Sequence, residues 1–309
     1  MLSRIGDFPG WIWAAFAAMV AVLLALDLIA HRGSRGESRK RTLIWSIVWV
    51  AAGLAFDGLI WMLFGGKAAG EYLAAWLMEK SLSLDNLFIF LIIFKSLGVA
   101  KRYQHRVLFW GILGAVVFRA LFIFLGAAAL ERWDWVTWIF AALLVYGAWR
   151  SVRVDPSEEK ESPVVGWLAR HVPVTQKVRS RSFVAREGGR WVATPLLIAL
   201  VAIEISDVMF AVDSVPAAFS VTREPFLVYS SNIFAILGLR ALYLLLAQTI
   251  GELRYLHYGL ALVLVFAAFK MVADTWMEIP PLMSVAVIMA IIGAAAWLSI
   301  RARRSETSP

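Results

Sequence analysis

Two short runs of polar residues interrupt stretches that are otherwise apolar enough to cross a bilayer. The first is Glu79-Lys80-Ser81-Leu82-Ser83-Leu84-Asp85-Asn86, within 73–94. The second is Glu204-Ile205-Ser206-Asp207-Val208-Met209-Phe210-Ala211-Val212-Asp213-Ser214. With Asp207 aligned on Glu79, both read acid, five residues, Asp, then a small polar residue, Asn86 or Ser214. Ionisable side chains at that depth are costly and more often line a substrate pathway than face lipid. Two acidic half-sites on two buried helices make a cation site.

Carboxylate, amide, hydroxyl and carbonyl oxygens are hard donors, and they suit Mn²⁺, Ca²⁺ or Mg²⁺ better than Zn²⁺ or copper. Metal and protons compete for the same oxygens, so proton-coupled exchange of a divalent cation is the expected chemistry. One straight helix cannot supply the clamp. Glu79 and Asp85 are six residues apart, roughly 9 Å along the axis and about 120° around it. Glu79, Ser83 and Asn86 share a stripe with Asp85 beside it, while Glu204 and Asp207 share a face with Asp213 further along. Pro216 predicts that the second helix kinks or unwinds around 213–216, freeing carbonyls as further ligands. Arg119, Arg240 and Lys270 also lie within apolar runs. They are expected to pair with Asp85, Asp213 and their neighbours, keeping an empty site neutral; bracing of helix ends is the plainer alternative. Lys80 is either a counter-ion or turned outward, and Asp27 and Asp57 are weaker candidates.

The surroundings of these residues are those of an integral membrane protein. The chain has 309 residues, 61% hydrophobic and 17% charged, with a mean hydropathy of +0.74; soluble domains carry about 25% charged residues. Apolar runs predict nine spans, at about 11–30, 43–64, 71–94, 107–130, 135–150, 193–213, 226–248, 256–273 and 282–300. The first has neither the basic leader nor the small-residue cleavage site of a signal peptide, and reads as a retained helix. With the N-terminus outside, the inner segments hold 22 of the 30 Lys and Arg and the outer segments four. That asymmetry places the C-terminus in the cytoplasm. It also accounts for the net charge of +8 without nucleic acid. Trp11, Trp13, Trp45, Trp133, Trp135, Trp191, Trp276 and Trp297 fall near span ends, as interfacial anchors do. With no Cys, the chain has no disulfide, thiolate ligand or sulfur redox chemistry. The four His show no metal-ligand spacing.

An internal repeat orders the spans. Val117-Phe118-Arg119-Ala120-Leu121-Phe122 matches Gly238-Leu239-Arg240-Ala241-Leu242-Tyr243, and 142–150 matches 262–270. Spans three to five thus resemble spans six to eight. An odd number of spans per copy inverts one copy against the other, an architecture with its ion site at the midplane in many secondary transporters. The fold expected is all-α: one transmembrane domain over 1–309, with 151–192 as a cytoplasmic loop carrying a short helical piece around 164–171. That loop reads as a solvated linker, its Glu158, Glu159 and Glu161 offering a regulatory alternative. A homodimer is compatible with this architecture.

The polar motifs, with Ser231-Asn232-Ile233-Phe234-Ala235-Ile236-Leu237-Gly238-Leu239-Arg240, Phe183-Val184-Ala185-Arg186 and the Pro216-Ala217 that follows the second acidic run, resemble the TerC/Alx family of bacterial membrane proteins over nearly the whole chain. The resemblance implies manganese export across the inner membrane, with links to tellurium resistance, alkaline response and metal supply to exported enzymes. By motif position the family's membrane acids correspond to Glu79, Asp85, Asp207 and Asp213. The combined expectation is a Mn²⁺ exporter, with Ca²⁺ as an alternative cargo. Those four acids are the main ligands, and Asn86, Glu204, Ser214 and Asn232 assist. A paired-aspartate intramembrane hydrolase fits poorly, since neither Asp has a glycine beside it and carboxylates are in surplus. The rival from another class is a membrane assembly protein of a metal- or tellurium-stress system, its ion site regulatory.

Overall fold

A computed structural model describes residues 8–30, 39–153, 163–171, 182–187, 190–239, 242–243, 256–277 and 279–306; the side chains of Asp27 and Asp85 lie outside this description, as does Arg240. The chain is almost wholly helical. In order come α1 (Gly10–Ala30), α2 (Arg39–Ser96), α3 (Lys101–Arg132), α4 (Val136–Arg153), α5 (Pro163–His171), β1 (Val184–Glu187), β2 (Arg190–Ala193), α6 (Pro195–Phe219), α7 (Pro225–Leu237), α8 (Leu256–Ala273) and α9 (Pro281–Glu306).

The longest helix is in fact two arms. Gly65 takes φ 86° and ψ 176°, a conformation that a Cβ resists, and the chain reverses there. Tyr72 donates to the Gly53 carbonyl across the reversal (3.3 Å), and a Cβ on Gly53 would fall 2.9 Å from Trp76 Nε1. The arms 39–64 and 66–96 therefore lie side by side. At the far end of the second arm Gly98, at φ 60°, closes the helix as a Schellman motif: Val99 N–H donates to Phe94 O (2.9 Å) and Gly98 N–H to Lys95 O (3.2 Å). Proline opens α6, α7 and α9 at its favoured first helical position.

Among the described residues four helices are long and apolar enough to cross a membrane, at 40–96, 101–132, 195–219 and 281–299. Gly10–Leu26, Pro225–Leu237 and His257–Ala273 are shorter apolar helices. Large apolar side chains such as Trp61, Met62, Val117, Leu125 and Phe269 stand exposed on the outer faces. In water such a surface would be a liability; against acyl chains it is the solvent-matched face. Inside, Phe16, Phe56, Phe226 and Phe234 interlock and tie α1 and α2 to α7.

The packing pairs are specific: α4 lies along α8, α2 along α7 and α3 along α6, with α2 also against α6 and α9 against both α2 and α8. Between α4 and α6 the short helix α5 packs on α6, where the sequence expects a helical piece. The two-stranded hairpin after it was not anticipated; Val184 pairs with Ala193 and Glu187 with Arg190. The expectation of an unwound segment at 213–216 is corrected. α6 continues as α-helix to Phe219 with Pro216 inside it. The proline removes one donor, four residues before the helix ends, and Ser220 N–H still closes onto Pro216 O (2.9 Å).

Candidate functional site

Four helices meet at one guanidinium. Glu79 lies 13 residues into the second arm of α2, roughly 20 Å along it, and Arg119 and Asp207 sit at comparable depths in α3 and α6. Arg119 is 1% exposed, Glu79 2%, Asp207 6% and Asn232 of α7 0%. The Arg119 guanidinium donates to Asp207 through Nη2 (Oδ1, 2.8 Å) and Nε (Oδ2, 3.2 Å), a bidentate fork. Its Nη1 donates to Asn232 Oδ1 at 2.9 Å and also to Glu79 Oε1. Glu79 and Asp207 are the residues that the repeat aligns, and they converge on the same cation.

The set is not closed. Glu79 Oε2, Asn232 Nδ2, Glu204 Oε2 and Ser214 Oγ are buried without a hydrogen-bond partner. Buried polar groups in that state cost free energy until something binds them. A cavity of about 20 Å³, bounded by Arg119, Asp207, Gly111, Ile203 and Ile236, adjoins the ion pair and has room for a water. Asp213, half-buried, packs on α4, where a Cβ at Gly147 would lie 3.2 Å from its Oδ2. It is also within electrostatic range of Glu79, Arg119 and Arg150. Glu204 abuts Gly114 of α3 so closely that no Cβ fits between them. Among the described residues no three carboxylate or imidazole side chains stand close enough together to hold a metal as they are. What is assembled is a carboxylate pair and an amide closed upon an arginine.

The sequence-predicted residues thus divide. Glu79, Asp207, Asn232 and Arg119 meet; Glu204, Asp213 and Ser214 flank them. Asn86 is buried seven residues beyond Glu79 on the same helix. Among the described residues Arg119 pairs with Glu79 and Asp207, and its expected pairing with Asp85 lies outside the description. For Lys270 the expected pairing is corrected outright: the ammonium bonds Asp274 (2.7 Å), four residues on in its own chain, which also accepts from Ile279 N–H (3.2 Å). Asp85 and Arg240 lie outside the description. Ser83, placed on the polar stripe, donates to the Lys80 carbonyl of its own helix (2.8 Å).

Three features escaped sequence reasoning. Lys80 donates to the Ala235 carbonyl of α7 (2.9 Å) and presses on Gly238, bridging two helices with a contact no pattern announces. The Gly114–Glu204 approach is equally invisible in one dimension. The third is a cavity of about 580 Å³ at one end of the bundle, bordered by Lys67, Glu71, Thr222, Arg223, Lys270 and Asp274 among others. There Thr222 donates to Glu71 Oε2 (2.6 Å), joining the start of the second α2 arm to the α6–α7 turn. From Asp207 to Phe219, on its wall, is twelve residues of α6, roughly 18 Å.

This arrangement can be set beside known proteins. Residues 64–307 match the model of the integral membrane protein TerC family. A Myxococcus xanthus membrane protein of uncharacterised role is 42% identical, covering 97% of this chain and 95% of its own. The Escherichia coli K12 protein Alx, named as a candidate membrane-bound redox modulator, is 39% identical over 94% of this chain and 95% of its own. A Rickettsia conorii membrane protein is 35% identical over 91% and 94%. No solved structure matches. The chain, a multi-pass integral membrane protein with an arginine-centred acid cluster in its interior, belongs to the TerC family.

Proposed function

We propose that this protein is a secondary transporter that exports a divalent metal cation, Mn²⁺ foremost and Ca²⁺ as the alternative cargo, across the bacterial inner membrane in exchange for protons. One observation carries the reading: Glu79, Asp207 and Asn232, from three different helices, turn their oxygens onto a single buried positive charge midway along the bundle. Hard oxygens around a cation, with Asp213, Ser214 and Glu204 beside them, are the donor chemistry of a Mn²⁺ or Ca²⁺ site. Asp85 and Asn86 complete the proposed ligand set from the α2 side.

The proposed architecture is nine spans, N-terminus outside and C-terminus inside, with α2 (second arm), α3 and α4 inverted against α6, α7 and α8. The packing pairs support it. A two-fold exchange of the halves sends the α2–α7 contact onto α6–α3 and returns α4–α8 and α2–α6 onto themselves, and these are the pairs that form. Cargo enters from the cytoplasm, is held at the acid cluster, and leaves through the cavity bounded by Glu71 and Asp274.

Exporting a dication against an inside-negative potential costs about 4.6 kcal/mol at about 100 mV, so a driving ion is required. Protons fit because they compete with metal for carboxylate oxygens. The redox role named for the Escherichia coli relative cannot come through thiols in this chain, which has no Cys; a change in the cellular metal pool is the indirect route. The test is flux in proteoliposomes of purified protein. Mn²⁺ should move with the wild type, stop when the pH gradient is collapsed, and fail with Asp207→Asn. Metal binding without flux would transfer the reading to an assembly protein with a regulatory ion site.

A further inference from the structure

We propose that Arg119 is a tethered counter-cation that fills the Glu79–Asp207–Asn232 site whenever it is empty of metal, and that Glu204 receives the guanidinium when metal enters. The inference rests on the transport reading and adds how the empty carrier returns. Two carboxylates buried side by side cannot travel through a low-dielectric interior uncompensated. The guanidinium meets them as a ligand would, with a fork on Asp207 and one nitrogen shared between Glu79 and Asn232. A dication cannot use those oxygens until the fork lets go.

A displaced guanidinium needs another partner within reach, and Glu204 is placed for it. Its Oε2 is buried and unpartnered, and it stands three residues before Asp207 on α6. Its carboxylate lies against Gly114, five residues before Arg119 on α3, so roughly 7.5 Å along that axis. Helical side chains lean toward the N-terminus, which brings the arginine head down to the level of Gly114. The bare backbone there leaves the space that Glu204 uses. With metal bound, the charges of Glu79, Asp207 and Glu204 balance those of the dication and Arg119. In the metal-free site Arg119 offsets one carboxylate charge and the protons taken up in the proposed exchange offset the others, so the empty carrier depends on the arginine for part of its compensation.

The test separates exchange from net transport in proteoliposomes loaded with radioactive Mn²⁺. Wild type should support both net efflux and Mn²⁺–Mn²⁺ exchange. Arg119→Gln should keep exchange, because in that cycle the carrier never crosses empty, and lose net efflux; Arg119→Lys should recover part of it. The Mn²⁺ Kd of Arg119→Gln should fall below wild type, since its internal competitor is gone. Glu204→Gln should weaken Mn²⁺ binding while leaving the metal-free melting temperature unchanged, because Glu204 holds no partner in the empty state. Equal loss of exchange and efflux in a monodisperse, folded Arg119→Gln would overturn the proposal, as would retention of both. An unaltered Mn²⁺ Kd in Glu204→Gln overturns it by a route that does not depend on the arginine variants folding. A wild type that binds Mn²⁺ and moves none would sink the transport reading instead, and the two affinity comparisons would still decide whether arginine and metal compete.

Discussion

At the scale of the residue, the arginine decides how the acids behave. A carboxylate in a buried pair is held by its partner, and removing one side of such a pair costs about 3–5 kcal/mol because the other charge is stranded. Asp207 takes two bonds from Arg119 and Glu79 one. Asp207→Asn is therefore expected to lower the melting temperature of the detergent-solubilised protein more than Glu79→Gln, and both should abolish the stabilisation by Mn²⁺. A different outcome is expected at Lys270. Its partner is Asp274, which borders the end cavity, so Lys270→Gln should destabilise the fold yet leave the Mn²⁺-induced thermal shift as in wild type. The acids were legible in the sequence because charge inside an apolar run is conspicuous. Their partners were not, because Arg119 and Asp207 are 88 residues apart and meet only through helix packing. Lys270 and Asp274 form an i,i+4 pair that the sequence does display, outside the two acidic motifs.

Elements set the tolerances. Apolar length is legible in a sequence, and the two runs expected at 43–64 and 71–94 correspond to the arms that turn at Gly65, while much of the later half of the run expected at 226–248 lies outside the described residues. Helix ends were less legible. Pro216 suggested a break, but a proline near the C-terminus of α6 removes one bond that the remaining turns do not need. Close approaches between helices were not legible at all, because a glycine that admits a neighbour looks like any other glycine. Gly114 and Gly238 are such points, one against Glu204 and the other against Lys80, where a Cβ would fall 2.6 Å from Nζ. Gly114→Val should push Glu204 off its seat and reduce Mn²⁺ affinity. Gly58→Ala, on the other arm of α2 with nothing within reach of its Cβ, should bind Mn²⁺ as wild type does. Equal Mn²⁺ affinities in a binding titration of the two variants would remove the α3–α6 approach from the account.

For the whole molecule, the proposed topology rests on one orientation, N-terminus outside and C-terminus inside. The absence of cysteine makes that orientation directly measurable, since any introduced thiol is the only one present. Arg223→Cys, at the exposed position of the α6–α7 turn, should react with a membrane-impermeant maleimide added to intact cells whose outer barrier is opened. Arg170→Cys, on the exposed face of α5, should react only after the inner membrane is broken. The reverse pattern would overturn the proposed topology. The proposed repeat is read from matched basic residues in the sequence. The pairing of its helices is not, because sequence order says nothing about which helix of one half lies along which helix of the other.

The basin between Lys67, Glu71, Arg223 and Asp274 gives the two faces of the protein unequal vulnerability. It is wide enough to seat a compact organic molecule and, on the proposed orientation, is reached without entering the cell. Beside the arginine-locked cluster, by contrast, the described residues border a hollow of about the size of a water. A plug shaped for that basin would stop the carrier from outside alone, and its action would vanish when the protein is reconstituted with the basin turned toward the lumen.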